Sequence, residues 1–160
     1  MNEVYSINGP VIKVKNAKNF KIMEKVFVGE QKLLGEVISI NDDHTVIQVY
    51  ESTTGLMRGE KVYNSGEAIS AVLGPGLLGN IFDGIQRPLH SIFKANGAYI
   101  KPGTNVDCLD MKKTWNVKMK VKTGDYIRFG QIFAVVQETS LIEHRLLVPK
   151  NVVGEVIMAK

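Results

Sequence analysis

The chain has 160 residues, 44% hydrophobic and 22% charged, with a formal net charge of +4. That is the composition of a soluble globular chain with room for one ordinary domain or two small ones. No apolar run approaches the roughly 18 residues of a membrane helix, the start Met1-Asn-Glu-Val-Tyr-Ser lacks the basic and apolar regions of a secretory signal, and a single cysteine, Cys108, excludes an internal disulfide framework and fits a reducing compartment such as the cytoplasm.

Residues 1–73 read as a series of short strands. Val4–Ile7, Val11–Val14, Lys25–Val28, Leu33–Ile40, Thr45–Glu51 and Ala68–Val72 are β-branched and apolar, and several alternate. Turn signals separate them at Asn8-Gly9-Pro10, Gly29-Glu30, Asn41-Asp42-Asp43 and Asn64-Ser65-Gly66. Six short strands at this spacing predict a small closed barrel, a form that leaves no exposed edge. Residues 74–92 read as a connector, with a turn or two of helix over 77–85 stopped by Arg87-Pro88. From Asn96 the chain reads as β again, with a tight turn at Lys122-Thr-Gly-Asp-Tyr126. Lys118, Lys120 and Lys122 alternate with Val117, Met119 and Val121, which predicts a strand with one apolar and one solvated basic face. Those charges also discourage edge-to-edge pairing. A nucleic-acid surface would be broader and interleaved with aromatics, and only Trp115 is close by, so no nucleic-acid partner is expected.

The most informative stretch is Gly74-Pro-Gly-Leu-Leu-Gly-Asn-Ile-Phe-Asp-Gly-Ile-Gln-Arg-Pro-Leu89. Gly74-x-Gly76-x-x-Gly79 fits the dinucleotide fingerprint letter for letter. That motif works only inside a βαβ unit with an acidic residue about 20 positions on. Here a strand-rich region precedes it, and Ala98-Tyr99-Ile100-Lys101 stands at the required distance. The motif therefore does not read as a nucleotide site. Leu78-Gly-Asn-Ile-Phe-Asp-Gly-Ile-Gln-Arg-Pro-Leu89 instead resembles the connector in the catalytic A subunit of V-type and archaeal-type rotary ATPases. Ile7-Asn8-Gly9-Pro10-Val11-Ile12, Leu34-Gly35-Glu36-Val37-Ile38, Gln48 through Leu56, and Gly59-Glu60 resemble the N-terminal barrel of that family. The resemblance runs the length of this chain and covers only the N-terminal part of such a protein.

Residues 117–160 carry a second pattern. Val121 through Gln131, Glu138, Pro149 and Gly154-Glu-Val-Ile157 resemble a biotinyl or lipoyl carrier domain. In that family a hairpin lysine takes the prosthetic group; Leu141 stands in its place and has no amine. The fold is shared and the chemistry is absent. The resemblance to rotary ATPases accounts for this pattern too, because their A subunits carry an inserted domain similar to a barrel-sandwich hybrid. Gln137-Glu138-Thr-x-x-Ile-Glu143-His144-x-x-Leu-Val-Pro149 resembles its hairpin.

Chemistry is otherwise sparse. No Gly-x-x-x-x-Gly-Lys-Ser/Thr is present, and Gly74 and Gly79 are followed by Asn80-Ile81, which supplies neither amine nor Mg²⁺-binding hydroxyl. His44, His90 and His144 are far apart and form no metal-ligand pair. Asp107 and Asp110 oppose a thiolate at Cys108, and Asp83-Gly84 reads as turn chemistry.

The resemblance implies an all-β fold: a six-stranded β-barrel over 1–73, a short helical connector over 74–92 leading towards a nucleotide-binding domain, and a barrel-sandwich-like inserted domain over 93–160, cut near Lys160. It implies that the parent protein takes Mg-ATP and alternates with B subunits in an A3B3 hexamer with central and peripheral stalk subunits. It further implies coupling of ATP hydrolysis or synthesis to H⁺ or Na⁺ transport from the cytoplasmic face of a membrane. Gly74, Gly76, Gly79, Asp83, Gly84, Arg87 and Pro88 would fix the connector's path. Glu138, Glu143, His144 and Pro149 would belong to the insert's hairpin. No catalytic, cofactor-binding or metal-binding residue carries over, and this stretch alone is expected to be inactive on ATP. The residues by themselves leave open a stand-alone interaction module of two small β domains, and a group-transfer carrier that Leu141 opposes.

Overall fold

Strict alternation builds the first sheet. In β2 (Val11–Lys15), β3 (Glu24–Val28) and β4 (Leu33–Ile40), every second side chain is buried through most of the strand, and the intervening ones lie at or near the surface. Period-two burial of this kind places one face of each strand against a common core. The computed structural model describes residues 2–15 and 19–160. With β1 (Val4–Asn8), β5 (His44–Val49) and β6 (Val62–Ala68), these strands form a six-stranded antiparallel sheet in the order β1-β2-β5-β4-β3-β6. Its core holds Val4, Ile12, Val14, Phe20, Val26, Val28, Leu33, Val37, Ile47, Val49 and Val62. Gly35 lies buried among them, and a Cβ there would come within 2.9 Å of the Gln48 carbonyl oxygen.

Six strands form, as many as the sequence predicts, but the ladder is not continuous around the sheet. The edge strands β1 and β6 meet at one isolated bridge, Glu3 with Lys61. Backbone bonds reinforce it: Val4 N–H to the Glu60 carbonyl, Gly59 N–H to the Val4 carbonyl and Val62 N–H to the Asn2 carbonyl, each at 2.8 Å.

Three local expectations are corrected. The sixth strand is Val62–Ala68, not Ala68–Val72. Asn64-Ser65-Gly66 lies inside it as a bulge: the pairing with β3 shifts between Glu24 and Val26, Gly66 has φ +79°, and the Ser65 hydroxyl donates to the Lys25 carbonyl at 2.8 Å. A turn-like tripeptide within a strand is what a bulge requires. Helix does not form over 77–85, because Gly79 and Gln86 adopt left-handed backbone. It forms just after Pro88, as α1 (Leu89–Asn96), anchored by buried Ile92 and ended at Gly97. Pro88 therefore precedes the helix, where its missing N–H costs nothing, instead of stopping one. Finally, the basic strand is short: β7 is Val117–Met119, and Val117 is exposed, so no continuous apolar face runs to Val121.

The chain divides into two compact units, Met1–Ala71 with Phe82–Val106 and Val72–Ile81 with Asp107–Lys160. The second unit contains β7, β8 (Tyr126–Arg128), β9 (Ile132–Gln137), β10 (Glu143–Leu147) and β11 (Val153–Glu155). They form a three-stranded sheet, β10-β9-β7, and a two-stranded one, β11-β8. Ala134, Val135, Val136 and Val148 are its buried apolar residues. The expected turn at Lys122–Tyr126 is present, with Gly124 at φ +93° and the Asp125 carboxylate accepting the Lys122 N–H at 2.7 Å.

Ile47 is fully buried, so Ile47→Ala should destabilise the first unit by about 2–5 kcal/mol. Leu141, 92% exposed, should tolerate alanine within about 0.5 kcal/mol. Urea unfolding of the two variants, followed by far-UV circular dichroism, checks both.

Candidate functional site

Most of the residues singled out in the sequence gather at two places, one in each unit. Both are organised by a carboxylate that accepts backbone N–H groups.

In the first unit the centre is Arg87. Its Nε donates to Asp83 Oδ2 at 2.7 Å and its Nη1 donates to Glu51 Oε2 at 3.0 Å. Asp83 closes an Asx turn, its Oδ1 accepting the N–H of Ile85 at 3.1 Å and of Arg87 at 2.8 Å. Gln86, at φ +63°, takes the reversal, and Phe82 pairs with Pro88 in an isolated bridge. Asp-Gly-Ile-Gln-Arg thus folds back on itself so that the arginine lies beside the aspartate that starts the turn. Burial pushes the Asp83 carboxyl up, but the Arg87 N–H, the Arg87 guanidinium and the Ile85 N–H outweigh it and hold it below the usual value.

Glu51 is the residue that sequence reasoning missed. Its side chain is only 6% exposed. One oxygen takes Arg87 and the Gly103 N–H at 2.9 Å; the other takes the Leu34 N–H at 3.1 Å. It ties three separated parts of the unit together. Gly103 must be glycine here, because its φ is +70° and a Cβ would fall inside the Gln31 carbonyl. The one signal available was the position of Glu51 at the end of an apolar strand, where an acidic side chain reads equally well as solvated.

In the second unit the centre is Glu138. Its side chain is 4% exposed, and its Oε1 accepts the N–H of Gly76 at 2.7 Å and of Leu78 at 3.1 Å. Its Oε2 lies 3.7 Å from His144 Nδ1. Asn80 Nδ2 donates to the Gly76 carbonyl at 2.7 Å and closes the loop. Gly76 and Gly79 have φ of +105° and +83°, and Gly74 is buried against Leu109, where a Cβ would come within 2.8 Å. Burial raises the Glu138 carboxyl, but the Gly76 and Leu78 N–H groups, the His144 charge and the Leu77 N–H prevail and lower it.

Glu138 and His144 are thus brought together with Gly76, and Gly74 and Gly79 shape the same loop. Glu143 and Pro149 stand apart: Glu143 is exposed and paired in register with Gln137, while the Pro149 carbonyl accepts the Val152 N–H in a turn. Gly84 is exposed in the Asp83 turn. Leu141 lies at the tip of the β9–β10 hairpin.

The carboxylates of the two centres are committed to N–H donors, and among the described residues no three His, Cys, Asp or Glu side chains stand together as metal ligands. The second unit has an open cleft of about 370 Å³ lined by Val121, Asp125, Tyr126, Ile127, Gln131 and Ile132. Two of its polar side chains are engaged locally, Asp125 with the Lys122 N–H and Gln131 with the Arg128 N–H.

Removing Glu51 leaves the part-buried N–H groups of Leu34 and Gly103 unpaired and Arg87 half-paired. Glu51→Ala should cost on the order of 3 kcal/mol, and Glu51→Gln less, because its amide oxygen still accepts. Urea midpoints at neutral pH check the ranking. Asp83 and Glu138 both have lowered folded values, so their stabilisation is present above the unfolded carboxylate range and is lost as pH falls through the folded values. Stability should therefore drop below about pH 4, and the drop should be smaller in Asp83→Asn and Glu138→Gln, measured as urea midpoints along a pH series.

Comparison with known proteins agrees with this architecture. Residues 4–66 match the beta-barrel domain of the ATP synthase alpha/beta family, and residues 106–160 match the barrel-sandwich domain of the same family. The chain is 46% identical over 155 residues to the V-type ATP synthase alpha chain of Halothermothrix orenii, covering 97% of this chain and 26% of the relative. It is 49% identical over 157 residues to the A-type ATP synthase A subunit of Nanoarchaeum equitans, covering 98% and 27%. The corresponding A subunit of Methanopyrus kandleri is 48% identical over 155 residues, covering 97% and 26%. The chain therefore spans about a quarter of the length of these relatives. Among solved structures, the assembled ATPase EscN from the enteropathogenic E. coli type III secretion system is similar, with a TM-score of 0.50 and 28% identity over 55% of this chain and 21% of that one. The chain belongs to the ATP synthase alpha/beta family, whose barrel and barrel-sandwich domains it carries, and its homologues are V-type and A-type A subunits, of which it matches the N-terminal portion.

Proposed function

We propose that residues 1–160 are the barrel and inserted domain of the catalytic A subunit of a rotary V/A-type ATPase or ATP synthase. The observation that carries this reading is identity of 46–49% to such subunits across 97–98% of the chain. In this reading the parent protein binds Mg-ATP, alternates with B subunits in an A3B3 hexamer, engages central and peripheral stalk subunits, and works at the cytoplasmic face of a membrane. The coupled ion is H⁺ or Na⁺. Among the described residues no helix is long and apolar enough to cross a membrane.

The local task is structural. The lack of a P-loop in the sequence and the commitment of the half-buried residues Glu51, Asp83 and Glu138 to N–H donors or Arg87 favour scaffolding as the role of residues 1–160. Arg87 and Asp83 hold the path of the chain after residue 82 against the barrel sheet through Glu51. Glu138 holds residues 76–78 against the hairpin of the inserted domain.

Antibody capture of the native protein from its own cells tests the proposal. The eluate should contain a B-type subunit and hydrolyse Mg-ATP, whereas purified residues 1–160 should not. Hydrolysis by residues 1–160, or a captured protein free of any such partner and of activity, would contradict it.

A further inference from the structure

The glycine motif Gly74-x-Gly76-x-x-Gly79 is followed by no helix before Leu89, and its backbone holds a carboxylate of the chain itself. Two of its N–H groups, from Gly76 and Leu78, converge on a single oxygen of Glu138, at 2.7 and 3.1 Å. Successive N–H groups turned to one side by left-handed residues form a concavity that binds anions. Gly76 and Gly79 provide those residues here, with φ of +105° and +83°. The concavity is braced from several sides: Asn80 Nδ2 closes it onto the Gly76 carbonyl at 2.7 Å, the Trp115 ring lies 3.3 Å from where a Gly76 Cβ would stand, and Leu109 fills the space beside Gly74. Its occupant is nearly inaccessible, with 4% of the Glu138 side chain exposed. The other carboxylate oxygen faces the His144 ring at 3.7 Å.

We propose that the Gly74–Asn80 loop, with the His144 ring, is an oxyanion-binding site of the carboxylate and phosphate class, filled in this chain by Glu138 as a built-in ligand. The loop supplies donors and no competing charge, since residues 72–81 contain no ionisable side chain. The glutamate, reaching across about 60 residues of sequence, is then an internal substitute for a free anion, and the site is shut by the hairpin that carries it. Charge-assisted bonds to a carboxylate are the strong form of such contacts.

Removing the built-in ligand tests this. In Glu138→Ala the Gly76 and Leu78 amides should become vacant donors. Two-dimensional ¹⁵N NMR of the variant chain, titrated with sodium acetate and separately with phosphate, should show those two amides shifting in a saturable way, and the thermal midpoint rising by several degrees. Chloride at matched ionic strength should do neither. Glu138→Gln, whose amide oxygen keeps the place filled, should not respond to acetate. Saturation by acetate alone or by phosphate alone would fix the preferred anion within the class and support the site. Amides that stay unmoved by both anions, or that move equally with chloride, would overturn it. If Glu138→Ala does not fold in plain buffer, recovery of a dispersed spectrum with acetate and not with chloride supports the site; absence of that recovery overturns it.

Discussion

Loops in this chain are held by buried and half-buried carboxylates that accept backbone N–H groups. Glu24, 2% exposed, takes the N–H of Lys21 at 2.8 Å and of Gly66 at 2.6 Å. Glu60 takes Met57 at 2.7 Å and Glu30 at 3.0 Å. Glu51, Asp83 and Glu138 do the same in their own places. A strand ladder satisfies its own donors, but a loop drawn inward lacks such partners, and an unpaired buried N–H is costly. A carboxylate solves this with two oxygens and a charge that shortens the bonds. Among the described residues no buried side-chain nitrogen or oxygen lacks a partner.

This constraint also decides what the acidic residues can do. A carboxylate surrounded by donors is held in its charged form, and the carboxyls of Glu138 and Asp83 both lie below their usual values for that reason. Arg87 follows the same logic. Its planar fork reaches Asp83 and Glu51 at once, which a lysine cannot reproduce.

The strand pattern of the first unit was legible because alternation and turn residues agree there: β1 to β5 fall within a residue or two of where the sequence puts them. The sixth strand was misplaced because Asn64-Ser65-Gly66 carries turn chemistry into a strand, and only the pairing with β3 shows that it is a bulge. The helix lies after Pro88 and not before it, because the left-handed Gln86 and the Asp83 turn end the loop ahead of the proline, a conformation the sequence pattern does not reveal. Of the site residues, Asp83 with Arg87 and Glu138 with His144 were visible as pieces of motifs. Their partners were not: Glu51 lies 36 residues from Arg87 and Gly76 lies 62 from Glu138. No local rule links such distances, and resemblance supplied the residues without supplying the contacts.

The central claim is that this chain forms part of a rotary ATPase A subunit, and the intact mass of the native gene product tests it most directly. The account predicts a polypeptide several times the 17.7 kDa of these 160 residues, in line with relatives of which they cover about a quarter. A native product of 17.7 kDa would contradict it and leave a small two-unit β protein whose task lies with its binding partners.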